Sequence, residues 1–109
     1  MSLNVNISDQ ACGAEIIGID LTNDLSDSQV SEIRDLWLEH HVLSFPNQHL
    51  NDDDLERFTL CFGSFGDDPF IAPIPGRENI IAVKRTADEN VPIFADNWHT
   101  DWSFQENPP

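Results

Sequence analysis

The sequence predicts one small folded domain in which short strands are flanked by two helices. Its 109 residues suffice for no more than one ordinary domain. Hydrophobic residues make up 39% of the chain and include seven Phe and three Trp, which favours a packed core despite a net charge of −15. The apolar runs are short, and turn formers or helix caps separate them, as is typical of alternating strands and helices.

Four apolar, β-branched runs predict the strands, at residues 5–7, 14–19, 42–45 and 80–83. A proline at position 46 ends the third run. Between the third and fourth strands, residues 64–78 are rich in Pro and Gly. We expect an irregular loop there, long enough to carry a function.

The first helix is predicted between Ser26 and residues 40–41. Ser26 is a suitable N-cap, and Gln29 three residues later completes a capping box. Apolar residues then recur at helical spacing, among them Ile33 and Trp37. The face that they share is expected to pack into the core.

A second helix is predicted after Asn51 and before Gly63. Three aspartates at 52–54 would lie in its first turn, where the helix dipole favours negative charge. This interpretation is preferred to a Ca²⁺ site, because the run lacks the alternation and the glycine of an EF-hand loop. The two apolar helix faces predict four core residues: Ile33, Trp37, Phe58 and Phe62.

The large excess of acidic residues restricts the classes of partner that the protein can bind. Twenty Asp and Glu against five Lys and Arg would repel nucleic acid and anionic membranes. No apolar run approaches the ~20 residues of a membrane span, and the amino terminus does not resemble a signal peptide. We therefore expect a cytoplasmic protein with neither a nucleic-acid nor a membrane partner. Cys12 and Cys61 are expected to be reduced, mostly buried thiols, with a disulfide or a metal role as the alternative.

The strongest chemical signal is the segment 97–104, Asn-Trp-His-Thr-Asp-Trp-Ser-Phe. Residues two apart share a face in an extended segment, so His99 and Asp101 would project together. These are two of the three ligands in the 2-His-1-carboxylate site that holds non-haem Fe(II). Spacing alone also fits a surface His bonded to a neighbouring Asp, and both interpretations stay open at this point. The other histidines are expected at helix ends or turns: His40, His41 and His49.

Several segments together carry a wider pattern. They are Gly-Ala-Glu-Ile-Ile-Gly-Ile-Asp-Leu at 13–21, Leu-Ser-Asp at 25–27, Leu-Glu-His-His-Val-Leu-Ser-Phe at 38–45, Phe-Gly at 62–63, and Asn-Trp-His-Thr-Asp at 97–101 followed by Phe104 and Pro-Pro at 108–109. In order and spacing this pattern resembles the N-terminal third of the taurine dioxygenase family of Fe(II)- and 2-oxoglutarate-dependent oxygenases. His99 and Asp101 match the family's iron-ligand positions.

The resemblance implies a mainly β fold with flanking helices, a double-stranded β-helix or jelly roll, of which residues 1–109 would be the N-terminal portion of a single domain. It implies Fe(II), with 2-oxoglutarate and O₂ as cosubstrates. The expected reaction hydroxylates a small organic substrate and converts 2-oxoglutarate to succinate and CO₂. The family's second His ligand and its 2-oxoglutarate-binding Arg lie far downstream of His-x-Asp, so both are expected beyond residue 109. We therefore expect no activity from these residues alone.

The resemblance also implies a set of substrate-binding positions, at Asp68, Phe70, Ala95, Trp102 and Phe104. Ala95 stands where true taurine oxygenases carry an Asn, and Asp68 falls near a His of theirs. A carboxylate in place of a donor disfavours an anionic sulfonate, so taurine itself is not expected. A non-catalytic binding module with the same fold is the alternative function. The resemblance leaves a homo-oligomeric full-length protein open.

Overall fold

The computed structural model describes residues 2–92 and 95–108, and the regular elements that it shows all lie before residue 61. They are, in chain order, β1 (Asn4–Ile7), β2 (Ala14–Ile17), α1 (Asp27–His40), β3 (Leu43–Ser44) and α2 (Asp52–Leu60). The chain divides into two compact units, Met1–Gly63 and Ser64–Pro109. The described part of the second unit consists of turns and loops. Pro109, which belongs to the family pattern, lies outside the described residues.

The three strands form one sheet in the order β1-β2-β3. β1 and β2 are antiparallel, with Ile7 opposite Ala14, whereas β2 and β3 are parallel, with Ala14 opposite Leu43. Predicted strand 14–19 ends early, because Gly18 has φ 77° and turns the chain after Ile17. The third predicted strand is shorter too, since only Leu43 and Ser44 pair.

Helix α1 begins as the sequence predicts. The Gln29 N–H donates to Ser26 Oγ (3.2 Å), and the Ser26 N–H donates to Gln29 Oε1 (2.9 Å). These reciprocal bonds satisfy two backbone donors at the open end of the helix. The helix ends at His40, as predicted.

Helix α2 begins after Asn51, again as predicted, and Asp54 adds a second capping box. Asp54 is buried, and its Oδ1 lies 3.0 Å from an Arg57 guanidinium nitrogen. Arg57 also donates to the carbonyl oxygens of Leu21 (3.2 Å) and Thr22 (2.8 Å). These hydrogen bonds connect the segment after β2 to α2. The helix ends at Leu60, before the predicted limit at Gly63.

The core lies where β2 and the residues after it meet α1. Ile16, Ile19, Leu21 and Ile33 are its buried cluster, and Phe58 and Phe62 pack against it half-buried. The prediction of a buried Trp37 is wrong, because this side chain is 49% exposed. It touches Phe62 edge-on, at 6.3 Å between ring centroids, beside an apolar hollow of about 270 Å³.

The predicted strand at 80–83 is also wrong. The Ile74 N–H donates to the Ile80 carbonyl (2.8 Å), yet no ladder follows, and Val83 is 71% exposed. β-branched residues favour a strand only where a neighbouring strand pairs with them and a face is buried. Within the described residues the sheet has three short strands, and the double-stranded β-helix stays a prediction.

Candidate metal centre

His99 and Asp101 lie in the second unit, at the start of a turn. His99 Nε2 and Asp101 Oδ1 are 3.1 Å apart, so the structure brings together the two side chains that the spacing pairs. About half of the His99 side chain (47%) and most of the Asp101 side chain (79%) are exposed. Both groups are therefore accessible to a metal ion.

A hydrogen bond to the backbone fixes the orientation of the His99 imidazole. His99 Nδ1 lies 2.6 Å from the Asn97 carbonyl oxygen. A carbonyl can only accept, so Nδ1 carries the proton of this bond. The bond to Asn97, and then the negative charge of Asp101, raise the pKa of His99 above its ordinary value. In the neutral ring, the lone pair is on Nε2, which faces Asp101.

The two donor atoms fit one six-coordinate metal ion. Adjacent donors of an octahedral ion with bonds of about 2.1 Å are about 3 Å apart, close to the distance found between Nε2 and Oδ1. Imidazole and carboxylate are also the donor types that non-haem Fe(II) takes. No three His, Cys, Asp or Glu side chains within residues 2–92 and 95–108 lie together as a metal-binding group.

Three of the predicted substrate positions form one cluster of rings, which we call the aromatic platform: Phe70, Trp102 and Phe104. Their ring centroids are 5.4 Å (Phe70 to Trp102), 5.7 Å (Trp102 to Phe104) and 6.0 Å (Phe70 to Phe104) apart. Asp68 supports the cluster, since its Oδ1 accepts from the Phe70 N–H (2.8 Å). Thus residues more than 30 positions apart in the sequence meet in this unit.

Ala95 is not part of this ring cluster but lines a hollow of about 390 Å³ together with Asn97, Trp98 and His99. It has φ 57°, a left-handed conformation. Trp98, which also lines this hollow, is fully exposed. The structure therefore places Ala95 beside His99 and leaves the Trp98 indole in solvent.

Two contacts that support this region are not visible in the sequence pattern. One is the Asn97 carbonyl, which belongs to the backbone and has no residue-type signature. The other is Gln105, whose Nε2 donates to the Asp67 carbonyl (2.8 Å) and joins the two segments that carry the platform. Spacing alone cannot reveal a bond between residues that the fold brings together.

The other three histidines and the two cysteines lie far from His99 and Asp101 in the sequence. His40 ends α1, His41 is its C-cap, and His49 is an exposed residue before α2, as expected. Both cysteines are free; Cys61 is half-buried, but Cys12 is exposed, contrary to the expectation of buried thiols.

None of the helices that the structure describes is long and apolar enough to cross a membrane.

Residues 5–109 match the family model described as "Taurine catabolism dioxygenase TauD, TfdA family". The chain belongs to the TauD/TfdA family. The match covers both units, including the described segment with His99 and Asp101.

Individual relatives agree with this assignment. An alkylsulfatase of Acinetobacter baylyi is 39% identical over 98 residues, which are 89% of this chain and 30% of that protein. An alpha-ketoglutarate-dependent sulfate ester dioxygenase of Pseudomonas putida is 31% identical over 98 residues, 89% of this chain and 31% of that protein. Among solved structures, one from Burkholderia xenovorans, named as a candidate alpha-ketoglutarate-dependent taurine dioxygenase, is 30% identical with a TM-score of 0.80 and covers 99% of this chain and 38% of that one. The chain thus spans about a third of the length of these relatives.

Proposed function

We propose that the protein is an Fe(II)- and 2-oxoglutarate-dependent dioxygenase that hydroxylates a small organic substrate. In the proposed reaction, 2-oxoglutarate and O₂ are consumed, and succinate and CO₂ are released. The observation that carries the proposal is the 3.1 Å separation of His99 Nε2 and Asp101 Oδ1 in a chain of the TauD/TfdA family. The alpha-ketoglutarate dependence in the name of the Pseudomonas relative supports the same class of reaction.

In this proposal His99 and Asp101 hold the metal ion. The Asn97 carbonyl retains the proton on Nδ1, so that Nε2 presents its lone pair. Asp101 supplies the anionic oxygen 3.1 Å away and balances part of the charge of the cation. Fe(II), when bound, supplies the redox chemistry that couples O₂ reduction to oxidation of 2-oxoglutarate and substrate.

We further propose that the substrate lies near Asp68, Phe70, Ala95, Trp102 and Phe104. Ala95 adjoins His99 in one hollow, and the platform continues directly from Asp101 through Trp102. Taurine is not the substrate that these positions favour, because Asp68 offers a carboxylate to an anionic sulfonate. The jelly-roll fold, a single domain that continues beyond residue 109, and a cytoplasmic location stay parts of this proposal.

The proposal is tested in the full-length protein by measuring 2-oxoglutarate-dependent succinate formation with a panel of small organic substrates. His99→Ala and Asp101→Ala should each abolish turnover. Each should also weaken Mn(II) binding, measured by calorimetry, by about tenfold or more, since a ligand contributes at least as much as an outer-shell partner. His49→Ala, which removes an exposed imidazole, is the matched control and should change neither quantity. Retention of most of the activity in both ligand variants would contradict the assignment.

A further inference from the structure

The three-stranded sheet carries a row of polar side chains on the face that lies away from the buried cluster. Successive residues of a strand point to opposite faces, so Glu15 projects on the side opposite to the buried Ile16. The register places Asn6 of β1 and Ser44 of β3 directly beside Glu15. Directly opposed residues share a face of the sheet. These three residues, which we call the polar row, therefore cross all three strands.

The polar row lines a hollow of about 360 Å³ that also has apolar walls. Ile7 and Val42 line the same hollow, and they are 66% and 57% exposed. The Ser8 N–H donates to the Gly13 carbonyl (3.0 Å) and closes the hairpin where these two residues line the hollow. A surface that combines polar groups with exposed hydrocarbon suits a ligand that has a polar head and an apolar stem.

The charge of the hollow favours a cationic head group. Glu15, which is half-buried, is the one charged side chain among the described residues that line the hollow. The first unit contains two Lys or Arg residues, Arg34 and Arg57, and both bind elsewhere. Arg34 donates to the Phe62 carbonyl (3.0 Å), and Arg57 pairs with Asp54 (3.0 Å). A carboxylate partly withdrawn from water is stabilised by a cation, so the hollow attracts a positively charged ligand.

The acceptors of the polar row match the donors of a primary ammonium group. Asn6 Nδ2 donates to Glu15 Oε2 (3.2 Å), so the amide offers its Oδ1 as an acceptor. Glu15 Oε1 and the Ser44 hydroxyl are further acceptors. A primary ammonium has three N–H donors and no acceptor, whereas Ca²⁺ takes about six to eight oxygen ligands. One carboxylate and two neutral acceptors therefore suit an ammonium group better than a divalent ion.

We propose that the hollow binds the ammonium group of a primary alkylamine. Glu15 is its ionic partner, Asn6 and Ser44 accept from its N–H donors, and the hydrocarbon stem lies against Ile7 and Val42. A free amine and the side chain of a lysine on another protein share this chemistry. The site belongs to the first unit, so the inference goes beyond the proposed function and does not depend on it.

The test is an NMR titration of the backbone amides of the full-length protein with butylammonium. Butyltrimethylammonium has the same charge and stem but no N–H donor, and it should bind at least about fivefold more weakly. Glu15→Gln, which keeps an acceptor for Asn6, should lower the affinity for butylammonium about fivefold or more. Ser44→Ala should lower it about two- to tenfold. Glu39→Gln is the matched control, because it removes an equal charge from a side chain that is 73% exposed and outside the hollow, and it should leave the affinity unchanged.

The outcomes separate a built site from general attraction. Equal affinities for the two amines, or for wild type and Glu15→Gln, would show only the attraction of cations to a chain of net charge −15 and would overturn the inference. A response of the amides around Glu15 to Ca²⁺ but not to butylammonium would assign the hollow to a metal ion and would also overturn it. Unchanged circular dichroism spectra show that the variants are folded.

A further arm of the titration identifies the source of the ammonium group. Tighter binding of Nα-acetyl-lysine amide than of butylammonium would indicate a lysine side chain of another protein, and the reverse order would indicate a free amine. No arm requires turnover, so a protein that forms no succinate but binds butylammonium through Glu15 would contradict the dioxygenase assignment and support the amine site.

Discussion

At the scale of single residues, His41 has the most strained conformation around α1. Its φ of 67° and ψ of −33°, with the Val42 N–H donating to the His40 carbonyl (2.8 Å), define a classic γ-turn. A side chain with a Cβ is disfavoured there, whereas glycine adopts such angles freely. The same His40 carbonyl accepts from the Gly13 N–H (2.8 Å), which holds the turn against the end of the hairpin.

His41→Gly should therefore raise the free energy of unfolding by about 1 kcal/mol, since the strain relieved exceeds the additional entropy of glycine in the unfolded chain. Urea unfolding measures this change. His41→Ala is the control, because it removes the imidazole but keeps the Cβ, and it should give no gain. An equal gain in both variants would place the effect in the imidazole rather than in the backbone.

Asp20 carries a pH-dependent contact near the end of β2. Its Oδ1 accepts from Thr22 Oγ1 (2.7 Å) and from the Thr22 N–H (2.9 Å). These bonds lower the pKa of the Asp20 carboxyl below its ordinary value of 3.8. A folded-state pKa below the unfolded one means that the contact stabilises the fold above about pH 4 and that this contribution is lost as the pH falls through the folded-state pKa.

An NMR titration of the Asp20 carboxyl carbon should accordingly give a pKa below 3.8. Thr22→Val removes the hydroxyl donor, which is the largest cause of the shift, and should move the pKa back towards 3.8. Thr86→Val, far along the chain, should leave it unchanged. A pKa that is the same in wild type and Thr22→Val would show that the hydroxyl bond is not formed in solution.

At the scale of elements, the helix starts depend on local bonds. Ser26→Ala removes the acceptor of the Gln29 N–H and should lower the free energy of unfolding by about 1 kcal/mol. Ser28→Ala, within the first turn of the same helix, removes a hydroxyl that has no part in the capping box and should be neutral or slightly stabilising. Chemical denaturation of both variants provides the comparison. A loss as large in Ser28→Ala as in Ser26→Ala would contradict the capping assignment.

The elements also show how far the sequence predicts this fold. Ser26 was identifiable because its partner Gln29 lies three residues later, and Asn51 because three aspartates follow it directly, so each signal is contained in a short window. The exposure of Trp37 and the missing ladder at residues 80–83 depend on which distant segments pack or pair there, and no short window contains that information. The same contrast holds in the candidate site. The meeting of His99 with Asp101 follows from a two-residue spacing, whereas the contact of Phe70 with Trp102 requires the fold.

At the scale of the whole molecule, the regular secondary structure and the candidate site lie in different units. The first contains the strands, the helices and the buried cluster around Ile16 and Ile33. The second carries His99, Asp101 and the platform on turns and loops, where residues 81–90 are all exposed. Binding and catalytic residues are often placed on such loops, and local opening costs less there than in a packed core.

Amide hydrogen exchange of the 109-residue chain should therefore differ between the units. We expect the amides of Ala14–Ile17 and those around Ile33 to exchange at least about a hundredfold more slowly than in an unfolded chain, because they leave their hydrogen bonds only when the core opens. Amides at 81–90 should exchange within about tenfold of the unfolded rate, since their surroundings are exposed and carry few backbone bonds. Ile33→Ala, which creates a cavity under α1, should reduce protection in the first unit and leave 81–90 unchanged. Equal protection in both units, or an effect of Ile33→Ala that spreads to 81–90, would show that the chain opens as one cooperative body.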